Sequence, residues 1–228
     1  MQDEKEAYLL LILSDANLPT GSFVASAGLE STEAHALFRL PTASPAGSDI
    51  LAFLRNAVDT YARSALPFAR DAHRVAAAYA GKQMSELDEA LAAISRLDAF
   101  YDASTLNHVA RRASCAQGAA LLTLYAKGFS HPPLMMSESV ATTTTTVPDA
   151  EGPAINGDDD SERESRAGAL VAALKVRLRR GDADSPGHLP VCWGVLVGAL
   201  GLTVGELAAF FFVNPLLRLA VTLHCMCV

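Results

Sequence analysis

Residues 103–128 read ASTLNHVARRASCAQGAALLTLYAKG, and their spacing decides the fold class. Leu106, Val109, Ala113, Ala120, Leu121 and Leu124 recur at the period of a helix with one apolar face. That stripe is expected to be core. Beside it run Asn107, Arg111, Ser114 and Gly118, a mixture of small and polar groups that suits either close helix packing or a partner's surface. The helix is expected to span Ala103 to Lys127, closed by Gly128.

The same period recurs on both sides. Toward the N-terminus, Asp3 to Ser14 and Ala25 to Leu37 read as short helices, and residues 41–48 as a loop. Asp49 opens a helix carrying Ile50, Leu51, Phe53, Leu54, Ala57, Val58 and Tyr61. Leu66 to Tyr79 follows, with Pro67 tolerated in a first turn. Ser85-Glu-Leu-Asp88 resembles a capping box and starts a helix carrying Leu87, Leu91, Ile94 and Leu97. Toward the C-terminus the pattern breaks. Residues 131–162 hold prolines, a threonine run (Thr142 to Thr146) and Asp158-Asp-Asp160, with too few apolar groups to offset chain ordering. This segment is expected to be a disordered insert. A helix resumes near Ser161 and ends at Gly181, acidic at its start and basic at its end (Lys175, Arg177, Arg179, Arg180), which complements the helix dipole. After the loop 182–187 a very apolar stretch follows. Strand-like alternation is nowhere sustained. The expectation is an all-α chain: one helical-bundle domain, with residues 1–130 as its N-terminal part, 131–162 as insert and 163–228 as its C-terminal part.

Composition narrows function mainly by exclusion. The chain of 228 residues carries a formal charge of −7, the wrong sign for a sequence-independent grip on nucleic acid. Cys115, Cys192, Cys225 and Cys227 form no C-x-x-C pair, and the apolar run Tyr8 to Leu13 is too short for a secretion signal. Free thiols in the cytoplasm are the expectation. No P-loop, H-E-x-x-H or G-x-S-x-G is present, and the six histidines never fall at i and i+4. His224-Cys-Met-Cys227 is a sparse donor set for a soft metal. Leu189 to Gly205 is uncharged and contains Gly194-x-x-x-Gly198 and Gly201-x-x-x-Gly205. Such spacing serves a membrane helix pair or a buried hairpin. Gly201 precedes a capping box, Thr203-Val-Gly-Glu206, which implies two helices and favours the hairpin. An anchor over residues 189–223 is the alternative.

Function enters through resemblance. The segment from Leu9 to Glu30 closely resembles the opening signature of the UreF family of urease accessory proteins: an apolar helix, a D-x-x-L-P-T-G-x-F turn, then S-x-G-L-E. Asp15, Leu18, Pro19, Thr20, Gly21, Phe23, Ser26, Gly28, Leu29 and Glu30 stand at those places. Asn107 to Gly118 looks like the family's long central helix with its A-S-x-x-Q-G pattern. His188, Pro190 and Gly194, followed by Ala199-Leu-Gly-Leu202, look like its H-x-P-x-x-x-G helix pair. The insert looks like that of longer fungal versions. The resemblance implies an all-helical, non-enzymatic scaffold that binds a second accessory protein (UreD, also called UreH) and recruits the GTPase UreG. That complex inserts nickel into apo-urease, so no cofactor and no tight nickel site are expected in this chain. A homodimer is compatible with it. Arg112, Ser114 and Gln117 are candidate contributors to the assembly surface. One departure stands out. From Phe211 the chain reads FFVNPLLRLAVTLHCMCV, with Asn214-Pro215 breaking the helix where the family continues, so the C-terminal part is expected to be incomplete.

The turn Pro19 to Phe23 places turn formers beside an aromatic, so Gly21 is expected to hold a backbone geometry that other residues adopt poorly, with Phe23 packed inward. Gly21→Val is expected to destabilise the fold or abolish assembly. An unchanged melting temperature with normal complex formation contradicts this.

Overall fold

A computed structural model describes residues 2–13, 34–35, 47–129, 157–181 and 185–205. The opening signature 15–30, most of the insert and residues 206–228 lie outside the described residues. Every regular element among the described residues is helical: α1 (Gln2–Leu13), α2 (Gly47–Ser64), α3 (Leu66–Ala80), α4 (Leu87–Ser104), α5 (His108–Gly128), α6 (Gly157–Arg180) and α7 (Leu189–Ala199).

The bundle is built around α7. Every residue from Pro190 to Ala199 is buried, which fits a segment without a charged side chain and with apolar residues on all sides. Its main neighbour is α3, then α5, with α6 and α4 completing the enclosure. Alanines make the α3 contact possible. Ala69, Ala72 and Ala76 are fully buried on one stripe with His73, and Gly194 and Gly198 of α7 lie against them. A Cβ at Gly194 would overlap the Ala69 carbonyl and stand 3.0 Å from the Ala72 Cβ; one at Gly198 would stand 2.8 Å from the His73 carbonyl oxygen. The two helices therefore approach backbone to backbone, as small residues on both faces allow. Ile94, Leu121, Leu122, Leu170, Val171 and Leu174 fill the remaining core from α4, α5 and α6.

After α7 the chain turns at Gly201, whose φ of +78° is a region other residues rarely adopt. The imidazole of His73 donates from Nε2 to the Leu202 carbonyl at 2.8 Å and fixes the turn from below. The expected break in the apolar stretch is thus present. No helix among the described residues is long and apolar enough to cross a membrane, and residues 189–199 of the alternative anchor are enclosed by protein.

Several boundaries differ from expectation. The helix expected over Ala103 to Lys127 is interrupted. Helix α4 runs to Ser104, and Asn107 caps α5, its Oδ1 accepting from the amides of Val109 (2.9 Å) and Ala110 (3.3 Å). The box at Ser85 to Asp88 does not form: Glu86 is the N-cap of α4 and makes no side-chain cap bond. Arg166 of α6 fixes that entry instead, donating to the carbonyls of Tyr79 (2.9 Å) and Met84 (2.7 Å), with its guanidinium 4.2 Å over the Tyr79 ring. Helix α6 starts at Gly157, so residues 157–162 of the expected insert are helical. Asp159 and Asp160 sit near the positive end of the helix dipole, and Lys82 pairs with Asp159 (3.1 Å) and Glu162 (2.7 Å).

The C-terminal half of the expected core stripe of α5 faces inward, with Leu121 fully buried and Leu124 packed against the core, but its N-terminal half faces out. Leu106 is 91% exposed, Val109 54% exposed, and Ala113 is also exposed. Gln117 and Gly118 are buried with Leu121, Leu122 and Tyr125. At Ser114 the reason is the polar start of α7, whose Leu189 amide donates to the serine hydroxyl.

Two glycine substitutions separate close approach from helix propensity. Gly194→Ala is expected to lower the melting temperature by several degrees, the consequence of roughly 1–3 kcal/mol of overpacking. Gly168→Ala in α6, where a Cβ meets nothing within 4 Å, is expected to raise it slightly. Thermal unfolding of both variants checks this, and equal effects contradict it.

Candidate functional site: a polar node at the start of α7

A helix beginning inside a protein needs partners for its first amides, because no preceding turn supplies them. Helix α7 begins there and has little to offer itself. Its N-cap is His188, whose side chain makes no cap bond, and Pro190 in the first turn has no N–H to satisfy. The partners come from two other helices. Asp98 of α4 accepts from the amides of Gly187 and His188, the second at 2.9 Å. Ser114 of α5 accepts from the amide of Leu189 at 3.0 Å. Gly187 has a φ of +81°, and its carbonyl lies where a Cβ on Gly118 would stand, so α5 passes with no room for a side chain. Upstream, the Ser185 and Ser95 hydroxyls meet at 2.5 Å, and Arg177 donates to Ser95 at 3.4 Å.

The His188 side chain is fully buried and completes the node. Its Nε2 lies 3.0 Å from Asp102 Oδ1. A carboxylate only accepts, so Nε2 carries the hydrogen. The Sγ of Cys115 lies 3.7 Å from Nδ1, and Tyr101 meets the ring edge-on at a centroid distance of 5.0 Å. Asp102 in turn takes a two-pronged ion pair from Arg111, with Nε to Oδ1 at 2.8 Å.

These contacts set the electrostatics. The Arg111 guanidinium, helped by His188, holds the Asp102 carboxyl below the ordinary carboxylate range, against the opposing pull of burial. Burial pushes Asp98 up, and its bonds from the Gly187 and His188 amides oppose that. Burial, with the Asp98 and Asp102 charges nearby, pushes the Cys115 thiol up to about 11, and Cys192 is raised well above its ordinary value mainly by burial.

A cysteine, a histidine and an aspartate in line look at first like the parts of a nucleophilic site. The chemistry points elsewhere. A reactive cysteine needs a lowered pKa and an electropositive setting, and Cys115 has the reverse. His188 has no exposed surface. Among the described residues no three His, Cys, Asp or Glu side chains are grouped to hold a metal ion. The arrangement can fix one helix end against two others.

Of the residues singled out from the sequence, His188, Pro190 and Gly194 all belong to α7 or its cap, and Ser114 meets them from the central-helix block. The two motif blocks are thus one contact. Gln117 is buried and Ser114 points inward, which leaves Arg112 as the exposed member of the candidate partner set. Sequence reading missed Asp98, Asp102 and Tyr101. A signal was present: Asp98 falls four residues after Ile94 and seven after Leu91, inside an apolar helical stripe.

The architecture defines a class, an all-helical protein whose buried polar groups hold a central apolar helix. Comparison with known proteins sharpens this. The UreF family profile matches residues 46–216, a span holding both motif blocks but not the opening signature. A protein of Cryptococcus neoformans named "Urease accessory protein 6" is 32% identical over 96% of this chain and 72% of its own length. A Schizosaccharomyces pombe protein named "Uncharacterized urease accessory protein UreF-like" is 27% identical over 92% of this chain and 68% of its own. No solved structure gives a significant match. This chain belongs to the UreF family.

The node makes a signed pH prediction. A carboxyl with a lowered folded pKa contributes stability above the ordinary carboxylate range and loses it as pH falls through the folded value. Asp98, shifted upward, contributes with the opposite sign, so the comparison must isolate Asp102. Asp102→Asn is expected to melt below the native chain at about pH 7, with the gap closing toward about pH 3. Melting curves across that range test this, and a gap independent of pH contradicts it.

Proposed function

We propose that this chain acts in urease maturation as a scaffold and not as a catalyst. It binds a second accessory protein of the UreD/UreH type, and the pair recruits the GTPase UreG so that nickel reaches apo-urease in the cytoplasm. Nickel is cargo of that complex and is not held tightly by this chain. The observation that carries the reading is the family match over residues 46–216, together with two relatives whose names place them among urease accessory proteins. The polar node supports it. The side chains best suited to chemistry, Cys115, His188 and Asp102, are engaged with one another and with Arg111 around one helix end. A protein whose buried polar groups hold its own architecture works through its surface.

The test is complementation of a cell that has urease but lacks its UreF protein. Expression of this chain is expected to restore nickel-dependent urease activity, while the purified protein hydrolyses neither GTP nor urea. Failure to restore activity by a folded, soluble chain at normal abundance contradicts the assignment.

A further inference from the structure

The outer face of α5 is unlike those of the other described helices. Its sequence, HVARRASCAQGAALLTLYAKG, holds no carboxylate. Helices α1, α2, α3, α4 and α6 all carry aspartate or glutamate, on a chain whose formal charge is −7. The other described helix without acids is α7, which is enclosed. A helix face turned to water is normally charged. Here Val109, Arg112, Ala116 and Ala119 follow one another at helical spacing and are all exposed, with Leu106 just before the helix. Thr123 extends the line, and its hydroxyl is spent on the Ala119 carbonyl at 3.0 Å. The face runs for about 20 Å. Its charges are both cationic: Arg112 within and Lys127 at one end. Arg111 belongs to the node, but no described residue pairs with Arg112.

We propose that this face docks an acidic amphipathic helix of a partner protein. The inference rests on the assembly role argued above and assigns the surface that serves it. The small side chains admit close approach of a second helix, Leu106 and Val109 supply apolar contact, and the cations meet carboxylates flanking the partner's apolar stripe. Charge selects this occupant over the same face of a second copy. Two such faces brought together would set cation against cation, with no acid on either side.

The test uses the full chain with a photo-crosslinking amino acid at Ala116, mixed with purified UreD/UreH-type protein, UreG-type GTPase and apo-urease. The expected result is a crosslink to a helix of one of these proteins that carries aspartate or glutamate. Arg112→Glu should weaken the complex about tenfold with its melting temperature unchanged. Crosslinking at Ala119 guards against a local folding defect at Ala116. Crosslinks within the chain or to a second copy overturn the proposal. So does co-sedimentation with anionic vesicles that depends on Arg112. A complex that assembles with no crosslink from this face overturns the surface and leaves the function standing. Failure of both assembly and complementation removes the function, and the surface with it.

Discussion

Everything in the bundle depends on how α7 begins. A helix with no charge on any side gains stability by burial, on the order of 2 kcal/mol for each large aliphatic group enclosed. Burial also withdraws its first amides from water. An amide buried without a partner costs about 1–3 kcal/mol, so the helix can be internal only if acceptors arrive with it. Asp98 from α4 and Ser114 from α5 are those acceptors. Their position requires Gly118 where α5 crosses Gly187, and brings His188 into the reach of Asp102, Cys115 and Tyr101. On the far side, Gly194 and Gly198 let α3 close against the helix. The polar node and the small-residue seam are two ends of one requirement, an apolar helix placed at the centre.

That requirement explains what sequence reading could reach. Period alone made the chain helical, and the strongest stretches, Leu66 to Ala80 and Leu87 onward, lie where the apolar spacing put them. The break between α4 and α5 was less visible. Asn107 serves equally on a helix face or as its cap, and only the geometry at Val109 and Ala110 shows which. Leu121 and Leu124 lie inward as the spacing puts them, but the first half of the inner face escapes periodicity, which counts apolar residues, whereas its neighbour there presents the Leu189 amide to Ser114. Leu106 and Val109 consequently face out, and Ser114 and Gln117 face in. Asp98 and Asp102 were hidden for the same reason: an acid on an apolar stripe is meaningful only once its donor is known, and the donor lies about ninety residues away in sequence.

The residues that give the family resemblance therefore divide by role. His188, Pro190, Gly194, Ser114 and Gly118 are explained by packing and capping within this chain. Arg112 and the exposed line along α5 have no packing or pairing role among the described residues. The proposed scaffold role fits this division, because groups that fix a shape must be buried and groups that meet partners must not. Asp98 and Ser114 hold the first amides of α7, and the His188 imidazole is held by Asp102.

The central claim is that side chains from α4 and α5 hold the start of α7 in place. Hydrogen exchange of the amides of Gly187, His188, Leu189 and the helix that follows, compared between the native chain and Asp98→Ala, tests it most directly. In the native chain these amides should exchange only with global unfolding. In the variant, 187–199 should exchange through a local opening at lower free energy, while the α3 and α6 amides keep more of their protection. Equal protection of 187–199 in both proteins would contradict the account.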